Sequence, residues 1–258
     1  QGSSTAANNV GQYNSVLGYQ TLIANTSGNY NSGLGYRALY TNTSGEDNMA
    51  SGAAALYQNT TGSFNTAIGN NALYSNKGNE KSVAIGHNAM FYADDRTAGR
   101  TAANVAIGYE ALKGSATATN NTGQYNTAIG YQSMVANTSG TQNSAMGSGS
   151  LAANTTGSYN TAFGFVSLGV NTSGIDNTAF GTNSLQNNTF GGYNTALGRA
   201  TLFSNTTGVQ NVAIGALTLY NNTTEQNDYP LSFFKYNKYS RSVYQKHRQS
   251  EYSSSVIY

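Results

Sequence analysis

A glycine preceded by an apolar residue returns at positions 18, 35, 52, 69, 86, 108, 130, 147, 164, 181, 198 and 215, and nine of the eleven intervals are 17 residues. The other two, 86 to 108 and 108 to 130, are 22, so the unit accepts two five-residue insertions without losing phase. A unit this short has no room for a helix pair and buries almost nothing alone. The units must therefore stack, each covering the next.

The unit reads N-T-A-I-G-x-x-A-L-x-x-N-T-T-G-x-x. The residue before the glycine is large and apolar from Leu17 and Leu34 through Ile129 and Phe163 to Ile214, with Ser51 the exception. The residue four after it is Leu or Met in every copy, from Leu22 through Met90 and Met134 to Leu219. These two columns are the expected core. Between them the column of Ala67, Ala84, Ala106 and their equivalents admits only small residues apart from Val16, which implies close packing, with a neighbouring chain as the natural candidate.

No apolar i, i+3, i+4, i+7 run is present, and Gly and Asn-Thr clusters punctuate every unit, so each reads as two short strands and two turns. The first strand is expected at Thr66–Ile68 and the second at 72–74. Strand side chains alternate faces, so Ile68 inward places Ala67 outward. The predicted fold class is all-β: a parallel β-solenoid (β-roll) of about twelve 17-residue rungs, stacked at roughly 4.8 Å into a rod on the order of 55 Å long. Its core is a thin stripe, so a homotrimer with the small-residue columns against the axis is expected to cover the flat faces. The chain divides into a lead-in at 1–9, the array at 10–224 with insertions at about 91–103 and 113–121, and a Tyr-rich basic segment at 225–258.

The stretches Asn65 to Leu73, Asn126 to Met134 and Asn194 to Leu202 carry a resemblance. N-T-A-I-G-x-x-A-L resembles the head repeats of trimeric autotransporter adhesins, and still more the NTAIG repeats of phage tail fibres and related bacterial surface proteins. The similarity covers about residues 10 to 224. It implies a left-handed parallel β-roll that trimerises.

Charged residues make up 9% of the chain and the formal net charge is +2, with no basic stripe in the repeats, so neither nucleic acid nor a membrane surface is an expected partner. With no cysteine there are no disulfides or thiolate metal sites. No run of 18 apolar residues exists to span a membrane. The first residue, Gln1, fits a mature product after leader removal or a piece of a longer chain; an extracellular, cell-surface or virion-surface location is expected.

The second turn aligns a column of asparagines, of which Asn25, Asn42, Asn59, Asn120, Asn137, Asn154, Asn171, Asn205 and Asn222 lie in N-x-S/T acceptor sequences. One reading is a sugar-coated rod. The other is structural: Asn tolerates the left-handed conformation and caps turns, and stacked Asn side chains bond rung to rung as a ladder. Sugars one strand spacing apart would crowd, which favours the ladder. Tyr13, Tyr30, Phe64, Tyr125, Tyr159 and Tyr193, with Tyr19, Tyr36, Tyr109 and Tyr131, form exposed aromatic rows that would stack on sugar rings or shield the rung edges and subunit seam.

The first insertion carries Asp94, Asp95 and Arg96, with Arg100, the densest charge cluster of the array and a candidate contact loop. Two adjacent carboxylates lack the further oxygen ligands of a calcium site, so a solvated loop is expected. Past residue 225, Tyr229, Phe233, Phe234, Tyr236, Tyr239 and Tyr244 are candidate assembly residues, capping the stack or joining rods head to tail. No catalytic, cofactor or metal residue is assigned. His87 and His247 are the only histidines, neither has a patterned carboxylate and nucleophile around it, and the ten carboxylates are scattered. Ice binding by flat Thr arrays is disfavoured because Met49, Val105, Ser144 and Val212 break the Thr66 column.

Two functional expectations follow. The first is a non-catalytic, self-assembling extracellular filament subunit. The second is an adhesin or phage tail-fibre segment whose loops and Tyr rows contact host surface glycans.

Overall fold

The structure is a computed structural model and describes residues 11–229. Twelve three-residue strands form one parallel sheet in strict sequence order: β1 (Ser15–Leu17), β2 (Ser32–Leu34), β3 (Met49–Ser51), β4 (Thr66–Ile68), β5 (Val83–Ile85), β6 (Val105–Ile107), β7 (Thr127–Ile129), β8 (Ser144–Met146), β9 (Thr161–Phe163), β10 (Thr178–Phe180), β11 (Thr195–Leu197) and β12 (Val212–Ile214). Each strand pairs with its sequence neighbours in exact repeat register, Ala67 with Ala84 and Ala162 with Ala179. The insertions do not disturb it, since Ala84 pairs with Ala106 and Ala106 with Ala128. This is a parallel β-solenoid of about 17-residue turns.

The second strand is not formed. Residues 72–74 lie in a turn, with Leu73 at φ 52° and its equivalents Leu56, Met134 and Leu168 alike in the left-handed region. Two further corners of a typical rung also hold a left-handed non-glycine, as at Phe64 and Asn71. That conformation costs an L-residue roughly 1–2 kcal/mol, and closing 17 residues around one narrow core demands it. The cost is offset by rung-to-rung hydrogen bonds at the corners: Leu73 N–H donates to the Ala89 carbonyl at 3.0 Å and Asn71 N–H to the Ala53 carbonyl at 2.9 Å.

The faces of β1–β12 are the reverse of the expected ones. Ala67, Ala84, Ala106, Ala128, Ala162 and Ala179 are fully buried inside the coil, whereas Ile68 and Phe180 are 37% and 52% exposed. The small column therefore packs against its own rung, under the Leu73 column, and against no neighbouring chain or axis. Alternation holds, but its phase is set by space: the interior between the strand and the opposite turn is already filled by Leu73 and its equivalents, leaving room for a methyl group. The repeat glycine is fixed for a related reason. Gly164 has φ 137°, and a Cβ there would meet the Gly181 carbonyl oxygen at 2.5 Å.

The rest of the interior is asparagine. In one column Asn48 Nδ2 donates to Asn31 Oδ1 at 3.0 Å and to the Gly62 carbonyl at 2.9 Å, while Asn65 donates to Asn48 Oδ1 through both its backbone N–H and its Nδ2. The same set recurs from Asn126 to Asn211. The second column is that of the Asn-Thr-Thr-Gly turn. Asn59 Nδ2 donates to Asn42 Oδ1 at 2.7 Å and to the Gly62 carbonyl at 2.9 Å, and the pattern repeats at Asn154, Asn171, Asn188 and Asn205. A buried amide is tolerable only when its donors and acceptors are bonded, and the rung spacing bonds nearly all of them. Beside it, Thr43, Thr60, Thr155 and Thr172 hydroxyls donate to the carbonyl of the residue one rung on.

The coil does not stop at residue 224. Val212 N–H donates to the Asp228 carbonyl at 2.8 Å and Asp228 N–H to Asn211 Oδ1 at 3.0 Å, so Asp228 occupies the asparagine position of a thirteenth turn.

Candidate functional site

Two features depart from a self-satisfied coil: the outward face of the sheet and the pair of insertions. On the outward face the column before the glycine runs Leu17, Leu34, Ser51, Ile68, Ile85, Ile107, Ile129, Met146, Phe163, Phe180, Leu197 and Ile214, and the parallel column from Ser15 to Val212 is Ser, Thr, Val or Met. Neither column holds a charged residue. Leu17, Leu34, Met146 and Phe180 are 72%, 50%, 44% and 52% exposed. Three-residue strands stacked twelve deep make a face on the order of 500 Å², shared between the apolar column and the Ser, Thr, Val and Met column beside it.

Aromatic rings stack along the rod axis. Tyr40, Tyr57, Tyr74 and Phe91 lie at centroid separations of 5.0, 5.1 and 4.9 Å with planes within 3° of parallel. Tyr13 stacks on Tyr30, Tyr19 on Tyr36, and His87, Tyr109 and Tyr131 in series. Ring faces in these stacks are spent on rung neighbours, so what points outward is edge and hydroxyl. The sequence signal of the first stack is three tyrosines, Tyr40, Tyr57 and Tyr74, at one repeat spacing. The Arg37 guanidinium lies 5.0 Å from the Tyr36 ring centre and 5.2 Å from that of Tyr40.

The insertions fold onto each other. The Asp94 side chain is buried rather than solvated, held by Arg96 at 2.5 Å and Arg100 at 2.9 Å. Arg100 also donates to the Thr122 and Asn121 carbonyls of the second insertion, at 2.6 and 3.1 Å. Asn121 in turn donates from Nδ2 to the Tyr92 carbonyl and accepts from Ser115 N–H at 2.8 Å. Burial pushes the Asp94 carboxyl up, but the Arg96 hydrogen bonds and the charges of Arg100 and Arg96 outweigh it and hold the group below the usual aspartate range. Asp95 sits outside this pair, 3.8 Å from Lys77. In the same region Glu110 bonds Lys113 at 2.7 Å and Gln132 at 2.9 Å, which lowers its pKa. Among the described residues no group of three or more His, Asp or Glu side chains is placed to hold a metal, and no helix is long and apolar enough to cross a membrane.

Of the nine acceptor asparagines of the turn column, Asn25, Asn42, Asn59, Asn137, Asn154, Asn171, Asn205 and Asn222 are 0–7% exposed. Their amides lie inside the folded coil, where a glycan on Nδ2 has no exit. Asn120 alone of this column is exposed, on a 3-10 turn at Ala118–Asn120 that swings it out of line. Beside the column, Asn187 and Asn221 begin the acceptor sequences Asn187-Asn188-Thr189 and Asn221-Asn222-Thr223, the first half-buried and the second exposed. Of the proposed assembly residues, Tyr229 is 57% exposed, while Phe233, Phe234, Tyr236, Tyr239 and Tyr244 lie outside the described residues. No protein-family model, curated protein or solved structure matches this chain.

Proposed function

We propose that this chain is a subunit of a non-catalytic extracellular fibre, in which parallel copies pack through the outward apolar column about a three-fold axis. The observation that carries the reading is the uncharged run of Leu, Ile, Met and Phe along the rod at one rung spacing, interrupted only at Ser51. A flat face with a period of one strand spacing is matched over its whole length by a surface of the same rise, and a second copy supplies it. Three narrow rods, each turning one face to a common axis, form a closed assembly, with the Phe163–Phe180 stack on the face turned inward. The resemblance to trimeric adhesin heads and NTAIG fibre repeats points the same way. Rung-to-rung bonding of every layer suits a rod that must extend and resist proteolysis.

An adhesin or tail-fibre segment contacting host glycans is the alternative. The stacks of Tyr19, Tyr40 and Tyr109 favour it less, because sugar stacking needs free aromatic faces; Phe64, Tyr125, Tyr159 and Tyr193, 53–55% exposed and outside those stacks, are the rings it would use. Mass measurement of the native protein in solution, with electron microscopy, tests the proposal. A trimer that dissociates to folded monomers in Ile68→Lys/Phe180→Lys supports it. A trimer indifferent to both substitutions, or a monomeric native chain, refutes it.

A further inference from the structure

Both asparagine columns break at the same rung. Where the repeat calls for asparagine, the chain has Ser82 and Ala93, each with a shorter side chain. The space left behind is a pocket of about 30 Å³ bordered by Asn76, Asn79, Ser82, Ala93, Arg100 and Asn121, among others. Two amide oxygens are stranded beside it. Asn76, fully buried, donates from Nδ2 to Asn59 Oδ1 at 2.8 Å, but its Oδ1, which should accept from the next asparagine, faces the rung of Ala93 and has no partner. Asn79, 3% exposed, donates from Nδ2 to the Asp94 carbonyl at 2.9 Å, and its Oδ1 is likewise without a partner.

We propose that this pocket is a binding site for structural water, which donates to Asn76 Oδ1 and Asn79 Oδ1 in place of the missing amide. A buried acceptor without a donor costs about 1–3 kcal/mol, so two of them strongly favour a guest that donates. Its size is set by the pocket: one water needs roughly 10–15 Å³ of such space, so one or two fit. Charge selects water over a cation. The Arg100 guanidinium borders the pocket, its charge is balanced by Asp94, and Arg96 adds a second positive group on the same carboxylate. A cation there would meet no net negative field. The site therefore hydrates the one place where the insertions interrupt the core, and does so whether or not the rod trimerises.

A crystal structure of the full chain, with one crystal soaked in a thallous salt, tests the site directly. Density within hydrogen-bond distance of both amide oxygens, with no anomalous signal from thallium, is the expected result. An empty pocket, or a thallium peak in it, overturns the proposal. In solution, Ala93→Asn returns an amide to the column, and its Nδ2 takes over the bond to Asn76 Oδ1. Oxygen-17 magnetic relaxation dispersion then counts one or two fewer long-lived waters than in the natural chain; equal counts from a folded variant overturn the proposal. Should the variant not fold, the crystal measurement on the natural chain decides alone.

Discussion

Asn171 donates from Nδ2 to Asn154 Oδ1 at 2.8 Å, and both side chains are fully buried. The same nitrogen donates to the Gly174 carbonyl at 3.1 Å, and Asn171 Oδ1 accepts from Asn188 at 2.8 Å. One side chain thus ties three rungs and closes its own turn. Because the column lies inside, it does the work that aliphatic packing does in a wider core.

Replacing Asn171 with alanine strands Asn154 Oδ1 and removes one of two bonds at each of two other groups: Asn188 Nδ2 keeps only the Gly191 carbonyl, and the Gly174 carbonyl keeps only Asn160 Nδ2. The stranded acceptor costs about 1–3 kcal/mol and each further lost bond about 0.5–1.5 kcal/mol, so the loss should be at least about 2 kcal/mol, read as a lowered denaturation midpoint. Asn171→Asp keeps the shape and removes the donors, and is expected to fare no better. A loss below about 0.5 kcal/mol in both variants would show that the ladder does not hold the rungs.

Neighbouring residues Ala179 and Phe180 separate the inner face from the outer. Ala179 is fully buried against the Leu column, so Ala179→Val overfills it and should cost about 1–3 kcal/mol at any protein concentration. Phe180 projects outward and stacks on Phe163 at 5.5 Å. Its replacement by serine should cost a single chain less than about 1 kcal/mol and weaken the assembly instead, so its effect on denaturation should vary with protein concentration. The reverse pattern would restore the Ile-inward phase.

Much of the fold was readable because the repeat is nearly exact. Period, rung number, strand position at Thr66–Ile68, parallel stacking and the buried Leu73 column all follow from columns that the sequence displays. The phase of the strand was not readable. Both Ala67 and Ile68 satisfy an apolar-inward rule when viewed alone, and only the depth of the interior, already filled by leucine, chooses the smaller. The turn at 72–74 was missed because leucine gives no hint of a positive φ, a conformation normally signalled by Gly or Asn. At the insertions, Asp94 looked solvated because Arg100, which pairs with it, and Asn121, whose carbonyl anchors that arginine, lie 6 and 27 residues away in sequence. The two small residues that open the pocket, Ser82 and Ala93, are visible only as departures from a column whose burial the sequence left open.

Glycan mapping of folded protein secreted from a glycosylating host bears on the acceptor sequences. Asn120 and Asn221, the latter in Asn221-Asn222-Thr223, are acceptors exposed outside the ladder, so they should be modified, while Asn42, Asn59, Asn154 and Asn171 should be bare. A sugar on any of those four would consume a donor that the ladder uses and require a path out of a filled interior. Folded material carrying glycans at the ladder positions would overturn their inward placement.

Acid should loosen the insertions through Asp94. Its carboxyl titrates lower in the folded chain than in the unfolded one, so the ionised group stabilises the fold at every pH above the ordinary aspartate value. That contribution fades as pH falls through the folded-state value, since below it the folded and unfolded chains carry the same proton. In Asp94→Asn the neutral amide accepts only weakly from Arg96 and Arg100, so the variant should be less stable than the natural protein at neutral pH. The gap should narrow steadily as pH drops below 4 or so, roughly where unperturbed aspartates titrate. Glu110, also lowered by its bonds to Lys113 and Gln132, titrates in both chains and cancels from the difference. Thermal melts of the two chains across acid and neutral pH measure the gap. A difference independent of pH would mean that the Asp94 charge is not coupled to folding, and that Arg96 and Arg100 are held by other contacts.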